Sequence, residues 1–163
     1  MIDEVVVRRA APIDAPRARE IRCLALYESP LAYGTRLEEV ATRPLRYWRN
    51  LIRQRPWFLA FDGDTVVGMA TTDTYHFNGE THPGVYGMYV APSHRGTRVA
   101  SLLLEKIKEF NRSCGHHRLF LDVVIGNERA EGFYEREGFR RIGEVRPLDR
   151  DPRRHLTPMV CDL

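Results

Sequence analysis

Apolar and polar residues change their period several times along this chain, and each change marks an element. Residues 4–9 (EVVVRR) form a short β-type run. Asp14 then stands where a helix cap is needed, ahead of Pro16, which a first helical turn tolerates. The helix that follows is expected to turn Ile21, Leu24, Ala25 and Tyr27 inward. After the Ser-Pro and Tyr-Gly breaks, Thr42 is the candidate cap and Pro44 the first-turn residue of a second helix. Its Leu45, Trp48, Leu51 and Ile52 recur at helical spacing, with Trp48 as a core anchor. From Trp57 the period shortens to that of strands. WFLAF, the turn Asp62-Gly63-Asp64 and TVVGMATTDTY predict a β-hairpin, since Asp-Gly supplies the positive φ angles of a tight connection. Residues 76–84 read as a polar loop, and 85–90 (VYGMYV) as another strand.

The sharpest switch comes at Pro92-Ser93-His94-Arg95-Gly96. A long helix starts at about residue 98 and sets Val99, Leu102, Leu103, Ile107 and Phe110 on one face. Cys114-Gly115 closes it, and 118–125 (RLFLDVVI) is an apolar strand of the kind buried in parallel sheets. Asn127 opens a last helix reaching about Glu137, Gly138 ends it, and strands near 139–142 and 159–163 finish the chain. The order β-α-α-β-β-β-α-β-α-β-β implies an α/β (α+β) fold, a mixed sheet covered by helices on both faces. With 163 residues, 43% of them hydrophobic, and no repeat or linker, the chain suits one domain over 1–163.

Chemistry concentrates where strand 85–90 runs through the loop 91–97 into a helix. A helix start presents unpaired N–H groups and the positive end of its dipole, so this junction suits an anion, phosphate above all. Residues 95–100 (RGTRVA) resemble the GNAT-superfamily signature Arg/Gln-x-x-Gly-x-Gly/Ala, with Arg95 first and Ala100 last. Downstream, Asn127-x-x-Ala130-x-x-Phe133-Tyr134-x-x-x-Gly138-Phe139 resembles the second signature of these acetyl-CoA-dependent N-acetyltransferases. The likeness covers about residues 57–143. It implies a mostly antiparallel sheet of six to seven strands and acetyl-CoA as co-substrate. By the same resemblance, Met88, Tyr89 and Val90 hold the pantetheine arm and polarise the thioester carbonyl. The loop and helix start Arg95, Gly96, Thr97, Arg98, Val99, Ala100 and Ser101 hold the pyrophosphate; Asn127 contacts the pantetheine, and Ala130 and Phe133 border the channel. Phe139 is read as core.

Tyr134 is the expected catalytic residue. A phenol of pKa about 10 is still protonated at neutral pH and can protonate a thiolate leaving group of pKa near 8.5. Candidates for the general base are Glu80, His82 and Tyr86, with Glu38 and Glu39 as amine-attracting groups. The family has glycine where this chain has Arg98. If the backbone there is helical, the guanidinium adds a bidentate phosphate contact; if it needs positive φ, strain follows. That departure keeps a second reading in view, a catalytically weak acyl-CoA sensor of the same fold.

Charge and composition narrow the partners. The net charge is +3, and the basic residues, nearly all arginine, are spread along the chain rather than gathered into a stripe with stacking aromatics, so no nucleic-acid partner is expected. No apolar run approaches the roughly 18 residues of a membrane span, and MIDEVVVRRA lacks the order of a secretory signal, so a cytoplasmic location and no membrane partner are expected. Cys23, Cys114 and Cys161 lack the spacing of a disulfide framework or a metal knuckle, so no metal is expected. The expected partners are acetyl-CoA, a primary amine on a small molecule or peptide and, as the resemblance implies, a second copy in a homodimer.

Overall fold

The computed structural model describes residues 4–163. Strand β1 (Val6–Arg9) is followed by helices α1 (Ala15–Glu28), α2 (Leu37–Val40) and α3 (Leu45–Gln54). Strands β2 (Trp57–Asp62), β3 (Thr65–Phe77) and β4 (Glu80–Val90) come next. Helix α4 (Val99–Ser113), β5 (Arg118–Val124), α5 (Glu128–Arg136), β6 (Arg140–Arg141), β7 (Arg146–Leu148) and β8 (Asp151–Asp162) complete the chain. One eight-stranded sheet runs β1-β2-β3-β4-β5-β8-β6, with β7 on β8. Every pairing is antiparallel except β4 with β5, which are parallel.

Helices cover both faces. On one, Val99, Leu103, Leu104 and Ile107 of α4 pack with Tyr134 of α5 against Phe58, Val67, Val85, Leu119, Leu121 and Val123. On the other, Ala18, Ile21, Ala25 and Leu26 of α1 join Trp48 and Ile52 of α3 over Leu59, Phe61, Met69 and Tyr89. Trp48 is a core anchor, as expected. Leu24 and Tyr27 are not; both are exposed, and Ala18 and Leu26 take the inward positions. Small residues on this stripe let α1 lie close to the sheet.

Two caps differ from expectation. Pro44, not Thr42, precedes the first turn of α3. Asp14 occupies the cap position of α1 without capping it. Its fully buried carboxylate turns back to accept both guanidinium nitrogens of Arg8, at 2.8 and 2.9 Å, and the Ala11 N–H at 2.8 Å. The Arg8 hydrogen bonds, chief among these contacts, hold the Asp14 carboxyl below the usual aspartate range. A depressed folded-state pKa stabilises the fold above the ordinary aspartate pKa, and that contribution is lost as pH falls through the folded value. Asp14→Ala is expected to cost about 2 kcal/mol at pH 7, less than a fully buried pair because Arg8 is half exposed and rehydrates. Urea titrations should show the deficit shrinking below about pH 4.

Residues 76–84 are not a loop. Asn78 and Gly79 both adopt positive φ, 50° and 79°, so they form a primed two-residue turn and continue β3 directly into β4 with Phe77 opposite Glu80. Pro83 is tolerated inside β4 because that strand has a second partner only at Gly84. At the far end, β8 extends back to Asp151 rather than beginning near 159 and carries the β7 hairpin.

Candidate active site

Two irregularities of β4 make the site. The first is its pairing with β5, which consists of one register pair, Gly84 with Phe120. Beyond it the strands part, and Val85–Val90 on one side and Leu121–Val124 on the other line a cavity of ≈ 750 Å³. The second is a β-bulge. Met69 pairs with Tyr89 and Thr71 with Tyr86, so Gly87 and Met88 together face Ala70. Gly87 adopts φ +60°, a conformation that favours glycine. The junction point is fixed from behind: the buried Asn111 amide of α4 donates to Thr72 Oγ1 at 3.1 Å, and the Thr72 hydroxyl donates to the Gly84 carbonyl at 2.9 Å.

The α4 start closes one end of the cavity. Leu102 is the first residue whose N–H reaches back one full turn, to the Arg98 carbonyl; the Val99 N–H meets the Thr97 hydroxyl at 3.4 Å, and the amides of Ala100 and Ser101 are left available to an anion. Gly96 adopts φ +73°, and the Thr97 hydroxyl donates to the His94 carbonyl, folding the loop onto itself. Arg98 has φ −76° and ψ −3°, ordinary right-handed geometry, so no glycine is required there and no strain arises. Its side chain is exposed.

Of the residues expected at the site, Met88, Tyr89, Val90, Arg95, Gly96, Thr97, Ala100, Ser101, Asn127, Ala130, Phe133 and Tyr134 line the cavity, whereas Arg98 and the buried Val99 do not. Several are also committed elsewhere. Arg95 donates from Nε to the Val90 carbonyl at 3.0 Å and pairs with Glu28, which also accepts the Tyr89 hydroxyl. Asn127 Oδ1 accepts the Ala130 N–H at 3.3 Å and so caps α5. The Ser101 hydroxyl donates to Glu137 at 2.6 Å, tying α4 to the end of α5. Phe139 is core.

Tyr134 differs from these. Its ring is buried between Phe133 and Phe139, at centroid distances of 5.1 and 5.5 Å, and its hydroxyl has no hydrogen-bond partner among the described residues. Burial pushes this phenol above its ordinary pKa. It is therefore a proton donor held at the cavity with nothing to donate to. Tyr33, from the stretch after α1, also lines the cavity; its hydroxyl donates to the Met88 carbonyl at 2.8 Å, and burial raises its pKa to about 12.

The base candidates fare unequally. Glu80 and His82 pair with each other at 3.3 Å near the hairpin turn, and Glu39 pairs with Arg150. Glu38 borders a separate cleft beside Leu148 and Arg154. Tyr86 lines the main cavity, but burial raises its pKa to about 12 and its hydroxyl donates to the Thr74 carbonyl. Sequence reasoning missed Asp122, whose place in an apolar strand gave the only hint. It lines the cavity, accepts the Tyr75 hydroxyl at 2.7 Å and pairs with Arg146, while burial raises its pKa.

The profile of the acetyltransferase (GNAT) family matches residues 23–139, most of the chain and both parted strands of the cavity, β4 and β5. The chain belongs to this family. Among curated relatives it is 29% identical over 97 residues to N-alpha-acetyltransferase 30 of Schizosaccharomyces pombe, covering 58% of this chain and 65% of that protein. It is 32% identical over 90 residues to the IAA acetyltransferase of Azospirillum brasilense, covering 54% and 56% respectively. The matched stretch thus spans less than two thirds of either relative. In three dimensions the GNAT chain superposes on yncA from Salmonella typhimurium, solved with its cofactor acetyl-CoA, at a TM-score of 0.79 over 98% of this chain and 94% of that one; at 20% identity the likeness is one of fold.

Proposed function

We propose that this GNAT protein is an N-acetyltransferase that moves the acetyl group of acetyl-CoA to a primary amine of a small molecule or peptide by direct attack. The observation that carries this reading is the partnerless Tyr134 hydroxyl beside two parted strands. In it the amides of Met88–Val90 at the bulge hold the pantetheine and polarise the thioester carbonyl. The α4 start from Gly96 to Ser101 takes the pyrophosphate. The amine nitrogen forms its bond to the acetyl carbon as the C–S bond breaks; Tyr134 gives its proton to the departing thiolate, and the proton lost by the amine leaves through Asp122. The products are an N-acetylated amine and free CoA thiol. The right-handed backbone at Arg98 removes the motive for a non-catalytic sensor.

Free-thiol release from acetyl-CoA with a panel of amines tests the reading. Release is expected to depend on the amine and to rise with pH through a limb above the ordinary aspartate range, since burial raises Asp122. It should not decline before about pH 10, because burial also raises Tyr134. Asp122→Asn should lower kcat by roughly 10²-fold and remove the acid-side limb. Thiol release with no amine in the panel would overturn the assignment.

A further inference from the structure

Three arginines around the cavity, Arg22, Arg129 and Arg136, form no ion pair among the described residues, and one of them is set against the bulge. Arg22 sits on α1, the face of the sheet opposite α4, and lines the cavity. It forms no hydrogen bond or ion pair among the described residues, and its Nη1 is sealed from solvent without a partner. The guanidinium lies 5.0 Å over the Tyr33 ring, and Nη1 is 3.5 Å from where a β-carbon on Gly87 would stand. The charge is thus set against the bulge itself. The groups facing its charge are Tyr33, Cys23 and Tyr47, none a carboxylate. Glu28 is paired with Arg95 and Tyr89, and Asp122 with Arg146 and Tyr75, so neither is the partner of Arg22. Arg129 and Arg136 also line the cavity, so no excess of negative charge awaits a cation.

A partly buried guanidinium with one nitrogen sealed and unpaired is costly for a fold to hold, and the unsealed Nε–Nη2 edge of its planar fork matches a carboxylate with two parallel hydrogen bonds. We propose that Arg22 receives a carboxylate of the acceptor, so that the substrate is a small amino acid rather than a cationic amine. This rests on the acetyltransferase reading, which puts the thioester carbonyl at the same bulge. Amine and carboxylate must then lie close together, as in α- or β-amino acids, not at opposite ends of a long chain.

The test compares amino acids with their carboxamides in the thiol-release assay. The wild-type protein is expected to favour the free acids by at least about tenfold in kcat/KM, and Arg22→Gln to bring that ratio close to one while KM for acetyl-CoA stays unchanged. Arg22→Lys, which keeps the charge without the fork, should fall between. A wild-type preference for carboxamides, or a ratio that survives Arg22→Gln, overturns the proposal. A second measurement does not need turnover. N-acetylated amino acids should raise the melting temperature of the wild type and not that of Arg22→Gln, which by itself should melt no lower than wild type. Equal shifts in the two proteins, or a variant that melts far lower, would make Arg22 a structural residue and end the proposal. Absence of thiol release with every acceptor would count against the acetyltransferase reading, and the melting shifts would still decide the role of Arg22.

Discussion

Tyr134→Phe is expected to lower kcat by roughly 10²-fold or more while KM for acetyl-CoA stays within about twofold, because only the proton donor to the leaving thiolate is lost. The ring remains between Phe133 and Phe139, so packing is preserved. The deleted hydroxyl has no partner among the described residues, and its removal breaks no structural bond. Melting should therefore be unchanged or slightly raised. A donor whose thiol has a lower pKa needs less help from an acid, so the deficit should shrink with such a substrate. Steady-state kinetics with the two donors check both points; an undiminished kcat would remove Tyr134 from the chemistry.

The largest effect on stability is expected at Trp48. Its indole is 1% exposed, edge-on to Tyr47 at 5.6 Å and to Trp57 at 6.1 Å, and it fills the space between α3, α1 and the sheet. Trp48→Ala should cost about 4 kcal/mol, the transfer of the indole plus the cavity it leaves. Trp48→Phe should cost about 1 kcal/mol, since Nε1 is buried without a hydrogen-bond partner and its loss sacrifices no bond. Urea midpoints for the two variants separate these cases. Trp48 does not line the cavity, so the folded fraction of each variant should keep its kinetics.

Period and punctuation made most of the fold legible. The step from apolar strand to amphipathic helix at 90–99 and the apolar run at 118–124 located the two strands that form the cavity. What failed did so for local reasons. The proline and glycine at 83 and 84 suggested a loop, although Asn78-Gly79 closes a two-residue hairpin. Asp14 looked like a cap because nothing in a linear reading shows that Arg8, on the preceding strand, returns to claim its carboxylate. Asn127, Ala130, Phe133 and Tyr134 of the second signature line the cavity together because their spacing is that of one helix face. Arg22 of α1, Tyr33 of the connection after it and Asp122 of β5 are far apart in sequence, and only the closure of the sheet brings them to one cavity.

The solitary pairing of Gly84 with Phe120 has a consequence for how this protein tolerates change. Beyond that point the parted edges offer peptide groups, and the side chains of β4 point above and below the sheet. Recognition written in the main chain does not depend on which residues carry it, provided the bulge at Gly87 keeps its shape. An alanine scan over residues 85–90 would therefore under-report the importance of the strand. Replacing single peptide bonds there by esters, which removes one N–H at a time and leaves every side chain intact, would expose it.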